Sequence, residues 1–411
     1  MQKPWILFLA LAAAACSGGT APTGGGTPQA APFSESEVIV QLVEPDDGDE
    51  VDELMKDHQG LRVERIGQTS FFVLTIPAGT DLDALLADLD DDLRVVQSSP
   101  NYLGELPEGG PRDLPTLGSD LLAAISVQPG LDLLDLAAAQ VVTRGAGVIV
   151  GVVDTGVDVT HPYLQANLEP NGFDFIDGDG DPNETRDFLD NDGDGLVDEQ
   201  FGHGTFVASL VLAVAPEARI LPVRALNDDG FGTTGTIAAG IVWAVDNGAH
   251  VINVSVDIPS APEAVREAIH YAEEREVVVV AAGGNDGQDQ VIFPARFSDV
   301  IGVAAVDGTG VVPDFSNVGS MVNLVAPGVD LIGAYPMAEN PAGTARWSGT
   351  SFSAPLVSGS AALVITVFPG SQANDVIRRL EDTALSADAL NPILAGRLGA
   401  GLVQPAAAVR P

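Results

Sequence analysis

The sequence predicts an α/β fold, in which a parallel sheet is covered by helices on both faces, preceded by a small α+β domain. Apolar, β-branched runs such as residues 148–153 and 277–282 alternate with helical patterns along residues 131–411. This alternation is typical of parallel sheets buried on both faces. Residues 37–102 carry a separate pattern of strands and helices, and 411 residues are enough for two domains.

Composition narrows the class of protein. The chain has 58 acidic and 18 basic residues, a net charge of −40, which argues against nucleic-acid binding and for a well-solvated surface. Hydrophobic residues make up 45% of the chain, with 46 glycines, as in a globular, loop-rich protein. A single cysteine allows no disulfide within the chain, so packing or a metal must stabilise the fold.

The N-terminus predicts export. Residues 1–16 combine a short basic start with an apolar stretch too short to span a membrane. The stretch ends at Cys16, which resembles the lipidated cysteine of a bacterial lipoprotein signal. The alternative is an ordinary signal peptide with an incidental cysteine. Residues 17–36 are rich in Gly, Thr, Pro and Ala, the composition of a flexible tether.

The segment 37–102 predicts a compact unit. Strand patterns cover 38–43, 71–76 and 93–97, and helical patterns cover 49–59 and 81–89. Residues 103–130, with several Pro and Gly, predict a linker.

Three polar residues stand at the edges of regular elements in the larger unit. Asp154 ends a predicted buried strand, His203 opens an apolar helical run, and Ser351 precedes a long apolar helix. Active-site groups collect at the carboxyl ends of strands in such sheets. A Gly-Thr-Ser segment before a helix is also an ordinary N-cap, so the serine gains meaning only from its partners.

These segments resemble the signatures of the subtilase family of serine proteases. The matching segments are Asp-Thr-Gly-Val-Asp at 154–158, Gly-His-Gly-Thr at 202–205 and Gly-Thr-Ser-Phe-Ser-Ala-Pro at 349–355. The resemblance implies a subtilisin-like catalytic domain over 131–411. Residues 37–102 are similar to the family's ferredoxin-like propeptide, an intramolecular chaperone and inhibitor whose tail lies in the substrate groove, with cleavage expected within 103–130. An independent binding domain is the alternative for 37–102.

The resemblance also implies catalytic roles. A serine hydroxyl is a poor nucleophile, so His203 would accept the proton of Ser351 while Asp154 orients the imidazole. Asn285, in a Gly-Gly-Asn-Asp-Gly segment after a buried strand, would donate its amide to the oxyanion together with the serine N–H. Without this context, the glycine-rich segment could be a simple turn.

The predicted substrate-binding residues follow two strands: Ser255, Val256, Asp257, Gly283 and Gly284. Asp257 stands where the family usually has glycine. We therefore expect a narrowed groove or a preference for basic side chains in the substrate.

An acidic stretch before His203 predicts structural calcium. Carboxylates at loop positions one, three, five and nine, with glycine at six, suit a calcium loop, although acidic surface loops without metal are common. The candidate ligands are Asp190, Asp192, Asp194, Leu196, Asp198 and Glu199. A second or shared site is predicted at Asp177, Asp179 and Asp181, with Asp174 as a further candidate.

The resulting hypothesis is an exported, lipid-anchored serine endopeptidase that acts through an acyl-enzyme. Its expected partners are polypeptide substrates, its own propeptide as inhibitor and the membrane through its anchor, and we expect a monomer with no organic cofactor. One alternative is a catalytically silent surface binding module. Another is an enzyme whose only substrate is its own propeptide.

Overall fold

The computed structural model describes residues 31–43, 49–108, 121–191, 195–258 and 260–410. The predicted signal, with Cys16, and most of the predicted tether lie outside the described residues.

The first unit is an antiparallel sheet with two helices. Its elements, in chain order, are β1 (Phe33–Leu42), α1 (Asp49–Asp57), β2 (Arg62–Arg65), β3 (Phe71–Thr75), α2 (Leu82–Asp90) and β4 (Val95–Glu105). The strand order β2-β3-β1-β4 with this succession of helices and strands is ferredoxin-like. Asp81 caps α2, since its side chain accepts a hydrogen bond from the Ala84 amide at 3.2 Å. The unit has its own apolar core, which includes Val38, Val40, Leu54, Leu74 and Leu89.

The second unit contains the remaining helices and strands, with 3₁₀ turns at Pro129–Leu134 and Pro392–Leu394. In chain order they are α3 (Leu121–Ser126), α4 (Leu136–Val142), β5 (Ile149–Asp154), β6 (Phe173–Asp174), α5 (His203–Val214), β7 (Arg219–Arg224), β8 (Phe231–Thr233), α6 (Thr234–Asp246), β9 (Val251–Val254), α7 (Glu263–Glu273), β10 (Val278–Ala282), β11 (Val300–Val306), β12 (Leu324–Pro327), β13 (Leu331–Ala334), β14 (Thr344–Trp347), α8 (Thr350–Val367), α9 (Ala373–Asp382) and α10 (Pro405–Ala408).

Seven of these strands form a parallel sheet in the order β12-β11-β10-β9-β5-β7-β6. Its central strands consist almost entirely of Val, Ile, Ala and Gly and are buried on both faces. Helices α5 and α8 pack together on one face, and α6 and α7 pack on the other. Parallel strands end at one edge, so the residues that follow β5 and β10 meet there.

Helix α8 is the core helix of this unit. Its length and composition would suit a membrane span, but 83% of its apolar window is buried inside the protein. It packs on α5 and on the central strands of the sheet. An all-round apolar helix in a globular protein belongs in the core, and α8 is buried along most of its length.

The predicted fold class is confirmed. The apolar runs predicted at 148–153 and 277–282 are strands β5 and β10, and their observed bounds differ from these runs by no more than one residue at each end. Short elements such as β2, β6 and β8 were missed. The predicted linker 103–130 differs most: residues 103–105 complete β4, and α3 forms within it.

Candidate active site

Asp154 and His203 form a buried pair at the edge of the sheet. Asp154 ends β5 and His203 begins α5. The His203 Nδ1 atom lies 2.7 Å from Asp154 Oδ1, and neither side chain is exposed. This close approach depends on Gly204, where a Cβ would lie 2.0 Å from the Gly156 carbonyl oxygen. The aspartate thus fixes the Nδ1–H tautomer and leaves Nε2 facing the site.

A buried glutamate that sequence reasoning missed connects the two segments. Glu184 accepts hydrogen bonds from Thr155 Oγ1 at 2.5 Å and from Thr205 Oγ1. The Thr155 hydroxyl oxygen in turn accepts from the Gly204 amide at 3.0 Å. Burial raises the pKa of Glu184 to about 7. Glu184 therefore joins the residue after Asp154 to the first turn of α5.

Ser351 is the second residue of α8 and is fully buried. Pro355 lies inside the same helix and has no N–H to donate to the carbonyl four residues earlier. That carbonyl belongs to Ser351, and it accepts a bond from Ser255 Oγ at 3.3 Å instead. The hydroxyl of Ser255, a predicted substrate-binding residue, thus contacts the backbone of Ser351.

Asn285 is oriented by Thr350. The Asn285 Oδ1 atom accepts from the Thr350 amide at 2.9 Å and from Thr350 Oγ1 at 3.0 Å. The Thr350 hydroxyl also accepts from the Gly284 amide at 3.0 Å. The two bonds to Oδ1 hold the amide oxygen away from the site, so Nδ2 is presented as a donor. The predicted residues Gly283 and Gly284 belong to this supporting loop.

A carboxylate from the first unit's C-terminal extension occupies the site. Glu108 Oε1 accepts from Asn285 Nδ2 at 2.7 Å and from the Ser351 amide at 3.1 Å. Its other oxygen lies 3.6 Å from His203 Nε2. Gly349 leaves room for this carboxylate, because a Cβ there would lie 2.2 Å from Oε1. Glu108 was not among the predicted residues.

Glu108 also changes the state of the histidine. Burial lowers the pKa of His203, but Asp154 and then Glu108 raise it, and the net result is about 10. Within the described chain, Ser351 Oγ and His203 Nε2 have no hydrogen-bond partner. The imidazole is therefore held in the charged form, which cannot accept a proton.

The extension reaches the site as a strand between two segments. Leu103, Gly104 and Glu105 pair with β8 in antiparallel register. On the other side, Glu105 and Asp257 exchange backbone hydrogen bonds of 2.9 and 2.7 Å. The Leu106 amide then donates to the Gly230 carbonyl at 3.1 Å. Val256, another predicted groove residue, is buried.

The acidic stretch forms a cluster that differs from the predicted set. The carboxylates of Asp187, Asp198 and Asp228 offer oxygens that all lie within 4.8 Å of one another. Only Asp198 was predicted. Asp229, in the turn before β8, holds the stretch in place, since its carboxylate accepts from the Asp198 and Asn191 amides at 2.5 Å each.

The other predicted ligands of this stretch that the structure describes do not belong to the cluster. Asp190 accepts from the Gly195 amide at 3.1 Å, Leu196 is exposed, and Glu199 lies in the turn that leads into α5. Asp192 and Asp194 lie outside the described residues.

In the second predicted metal site, an arginine supplies the positive charge. Arg224 Nη1 lies 2.7 Å from Asp174 and 2.9 Å from Asp177. Asp179 accepts from the Asp181 amide at 2.8 Å. Arg224 thus pairs with two of the four acids that the sequence grouped here and balances one of their charges.

A buried aspartate–histidine pair beside a serine, with a side-chain amide and a backbone N–H directed at one anion, defines the site of a serine hydrolase. Comparison with known proteins specifies the family. Residues 145–401 match the model of the Subtilase family, Peptidase_S8.

Similar proteins extend over most of the chain. The thermophilic serine proteinase of Bacillus sp. (strain AK1) is 34% identical over 86% of this chain and 82% of its own. Subtilisin DY of Bacillus licheniformis is 35% identical over 59% of this chain and 85% of its own. Fervidolysin of Fervidobacterium pennivorans, a keratinolytic enzyme related to subtilisin, aligns with a TM-score of 0.76 and 26% identity, over 93% of this chain and 62% of fervidolysin. The chain belongs to the subtilase family and is a subtilisin-like serine endopeptidase.

Proposed function

We propose that this protein cleaves polypeptides through an acyl-enzyme on Ser351, with His203 as general base and acid, Asp154 as its orienting partner and Asn285 as an oxyanion donor. One observation carries the assignment. The Glu108 carboxylate oxygen is held by Asn285 Nδ2 and the Ser351 amide, so these two donors already bind a negatively charged oxygen beside the serine.

The reaction follows from this arrangement. With Glu108 withdrawn, neutral His203 takes the Ser351 proton as Oγ forms a bond to the peptide carbonyl carbon. The carbonyl oxygen becomes negative and takes the position between Asn285 Nδ2 and the Ser351 N–H. His203 then gives its proton to the leaving amine, and the C–N bond breaks. Water then takes the place of the amine: its oxygen bonds to the ester carbon as His203 accepts one of its protons. The bond from that carbon to Ser351 Oγ breaks, Oγ takes the proton back from His203, and the carboxylic acid product leaves.

A fluorophosphonate probe tests this assignment directly. We expect covalent labelling of the processed protein and no labelling of Ser351→Ala. Ser353→Ala is a matched control, because the Ser353 hydroxyl donates to the Ala326 carbonyl at 3.0 Å and points into the core. Absence of labelling in the processed wild type would instead favour a silent binding module. Turnover of a peptide library separates a general endopeptidase from an enzyme that cleaves only itself.

We further propose that the first unit is a propeptide that inhibits the enzyme until it is cut within residues 103–130. The route of residues 103–106 between β8 and Asp257 supports this proposal, as does the contact of Glu108 with both oxyanion donors. Mass spectrometry of the mature N-terminus should place the cut in this range in the wild type. Ser351→Ala should remain full length, and cleavage of that variant at the same bond would assign processing to another protease.

A structural calcium ion is proposed at the cluster of Asp187, Asp198 and Asp228. The donor set fits a hard cation, which takes carboxylate oxygens. Asp198 Oδ2 and Asp228 Oδ1 are buried without a hydrogen-bond partner among the described residues. Among the described residues, the basic side chain that pairs with Asp198 is that of Arg186, whose Nε lies 3.8 Å from Asp198 Oδ2. Three close carboxylates need more positive charge than one distant arginine provides.

Export with a lipid anchor on Cys16 is also proposed, on the basis of the signal-like residues 1–16. Wild-type protein should sediment with membranes and incorporate a fatty-acid label, whereas Cys16→Ser should be exported but unlabelled. Equal labelling of both forms would contradict the anchor.

A further inference from the structure

Asp257 lies directly opposite Glu105 across the groove. The two residues exchange backbone N–H···O bonds of 2.9 and 2.7 Å, so they form a hydrogen-bonded antiparallel pair. Side chains of such a pair emerge on the same face of the sheet, with Cβ atoms about 4.5–5.5 Å apart. Asp257 therefore faces the side chain of whichever residue occupies the Glu105 position.

The neighbours of Asp257 face the other way. A Cβ on Gly104 would lie 3.1 Å from Val256 Cγ2 and 3.1 Å from Ile258 Cγ1. Strand side chains alternate between faces, so Val256 and Ile258 form the apolar side of the groove. Asp257 supplies the polar side.

The titratable groups on this polar side are all acidic. Burial, followed by the charges of Asp286 and Glu105, raises the pKa of Asp257 to about 7. Asp257 has no ion pair with a basic side chain anywhere in the described parts of the chain. Like charges directly opposite each other destabilise a strand pair, so the protein's own extension places an unfavourable residue here.

We propose that Asp257 is a specificity-determining residue that selects a lysine or arginine side chain in the substrate at the position Glu105 occupies in this structure. The inference rests on the proposed function, because it takes the path of residues 103–106 as the path of a substrate. A basic side chain would replace a repulsive cross-strand pair with an attractive one in a half-buried setting.

Paired peptides test this inference on the processed enzyme. Each set of three quenched fluorescent peptides would differ at a single residue, which is Lys, Gln or Glu. Four such sets would vary, one at a time, the four residues before the cleaved bond. At the position that corresponds to Glu105, kcat/KM should be higher for the Lys peptide than for the Glu peptide, by a factor on the order of ten. Asp257→Asn should reduce this ratio to near one.

The matched control is Asp299→Asn, an exposed acid immediately before β11, at the opposite edge of the parallel sheet. It should keep the full Lys preference. Equal rates for Lys and Glu peptides in the wild type, or a Lys preference that survives in Asp257→Asn, would overturn the inference. Turnover of the Gln peptide distinguishes these results from failure of the proposed function, in which no peptide would be cleaved and no probe would bind.

Discussion

At the scale of single residues, Glu184 positions the catalytic pair without contacting a substrate. It links Thr155, next to Asp154, to Thr205 in the first turn of α5. We expect Glu184→Gln to lower kcat about 10- to 100-fold with little change in KM, because small displacements of reacting groups are costly. Glu169→Gln, which alters a partly exposed pair with Arg219, is the control. A rise in KM at constant kcat would contradict a positioning role.

Glu184 also makes stability depend on pH. Its pKa is raised from 4.5 to about 7 in the folded protein, first by burial and further by the charge of Asp154. The native state therefore binds more protons than the unfolded state between these values, and its stability falls as pH rises through this window. From pH 4.5 to 7, the melting temperature of the wild type should fall relative to that of Glu184→Gln, because Gln does not titrate. A constant difference would contradict this assignment.

Ser255 stabilises the helix that carries the nucleophile. Its hydroxyl serves the Ser351 carbonyl that Pro355 leaves without an intrahelical donor. Ser255→Ala should lower the free energy of unfolding by about 1–3 kcal/mol, the cost of an unsatisfied buried carbonyl, as measured by denaturant titration. The variant Ser255→Ala with Pro355→Ala restores a helical N–H and should recover most of the loss. No recovery would place the role of Ser255 elsewhere.

Sequence motifs predicted the site residues that lie within a local sequence pattern. They did not predict the two glutamates that lie outside any such pattern. Asp154, His203, Ser351 and Asn285 each sit in a local pattern at the end of a strand or start of a helix. Glu184 and Glu108 sit in no such pattern. Their roles depend on burial and on chain paths that local periodicity does not encode.

At the scale of elements, the acidic segment before α5 joins the turn before β8. Asp187 and Asp198 lie in the segment, and Asp228 lies in the turn. We expect calcium chelation to lower the melting temperature and Asp228→Asn to abolish that effect, because metal that binds only the native state stabilises it. Differential scanning calorimetry with and without chelator measures both.

The control for the calcium experiment is Asp179→Asn, from the group beside Arg224. It should keep the full response to chelation. Loss of the response in Asp179→Asn, with retention in Asp228→Asn, would return the ion to the second site suggested by the sequence, at Asp177, Asp179 and Asp181. An unchanged melting temperature of the wild type on chelation would mean that calcium does not stabilise the fold.

Elements with a strong pattern were predictable, and short ones were not. Strands such as β10 and β11 are continuous runs of apolar residues, which burial on both faces requires. In contrast, β2, β6 and β8 have two to four residues each and exist because a neighbouring strand supplies hydrogen bonds. Such pairing depends on tertiary structure, so the sequence pattern alone carries little signal for it.

At the scale of the whole molecule, one strand connects the two units. Strand β4 begins in the first sheet beside β1 and ends beside β8 in the second unit. The resemblance suggested that such an extension lies in the groove. It did not suggest that an acidic side chain beyond the strand fills the oxyanion position.

The full-length protein should therefore be restrained by Glu108 in two ways. The carboxylate occupies both oxyanion donors, and it helps Asp154 hold His203 protonated. The docking of Glu108 beside the charged imidazole is present at pH values below the raised pKa of His203. This docking is lost as the pH rises through that pKa. Glu108→Ala removes both restraints while Asp154 and Glu184 still face the histidine.

We expect the full-length band of Glu108→Ala to react with a fluorophosphonate about tenfold faster than wild type, since it regains an open oxyanion site. Its pH profile should move toward lower pH, because His203 loses one of the charges that raise its pKa. Labelling at short times, with full-length and processed bands separated on a gel, measures the precursor alone. Glu35→Ala, an exposed change in β1, should behave as wild type. Equal rates and equal profiles for Glu108→Ala and wild type would mean that backbone pairing of residues 103–106, and not the carboxylate, holds the precursor inactive.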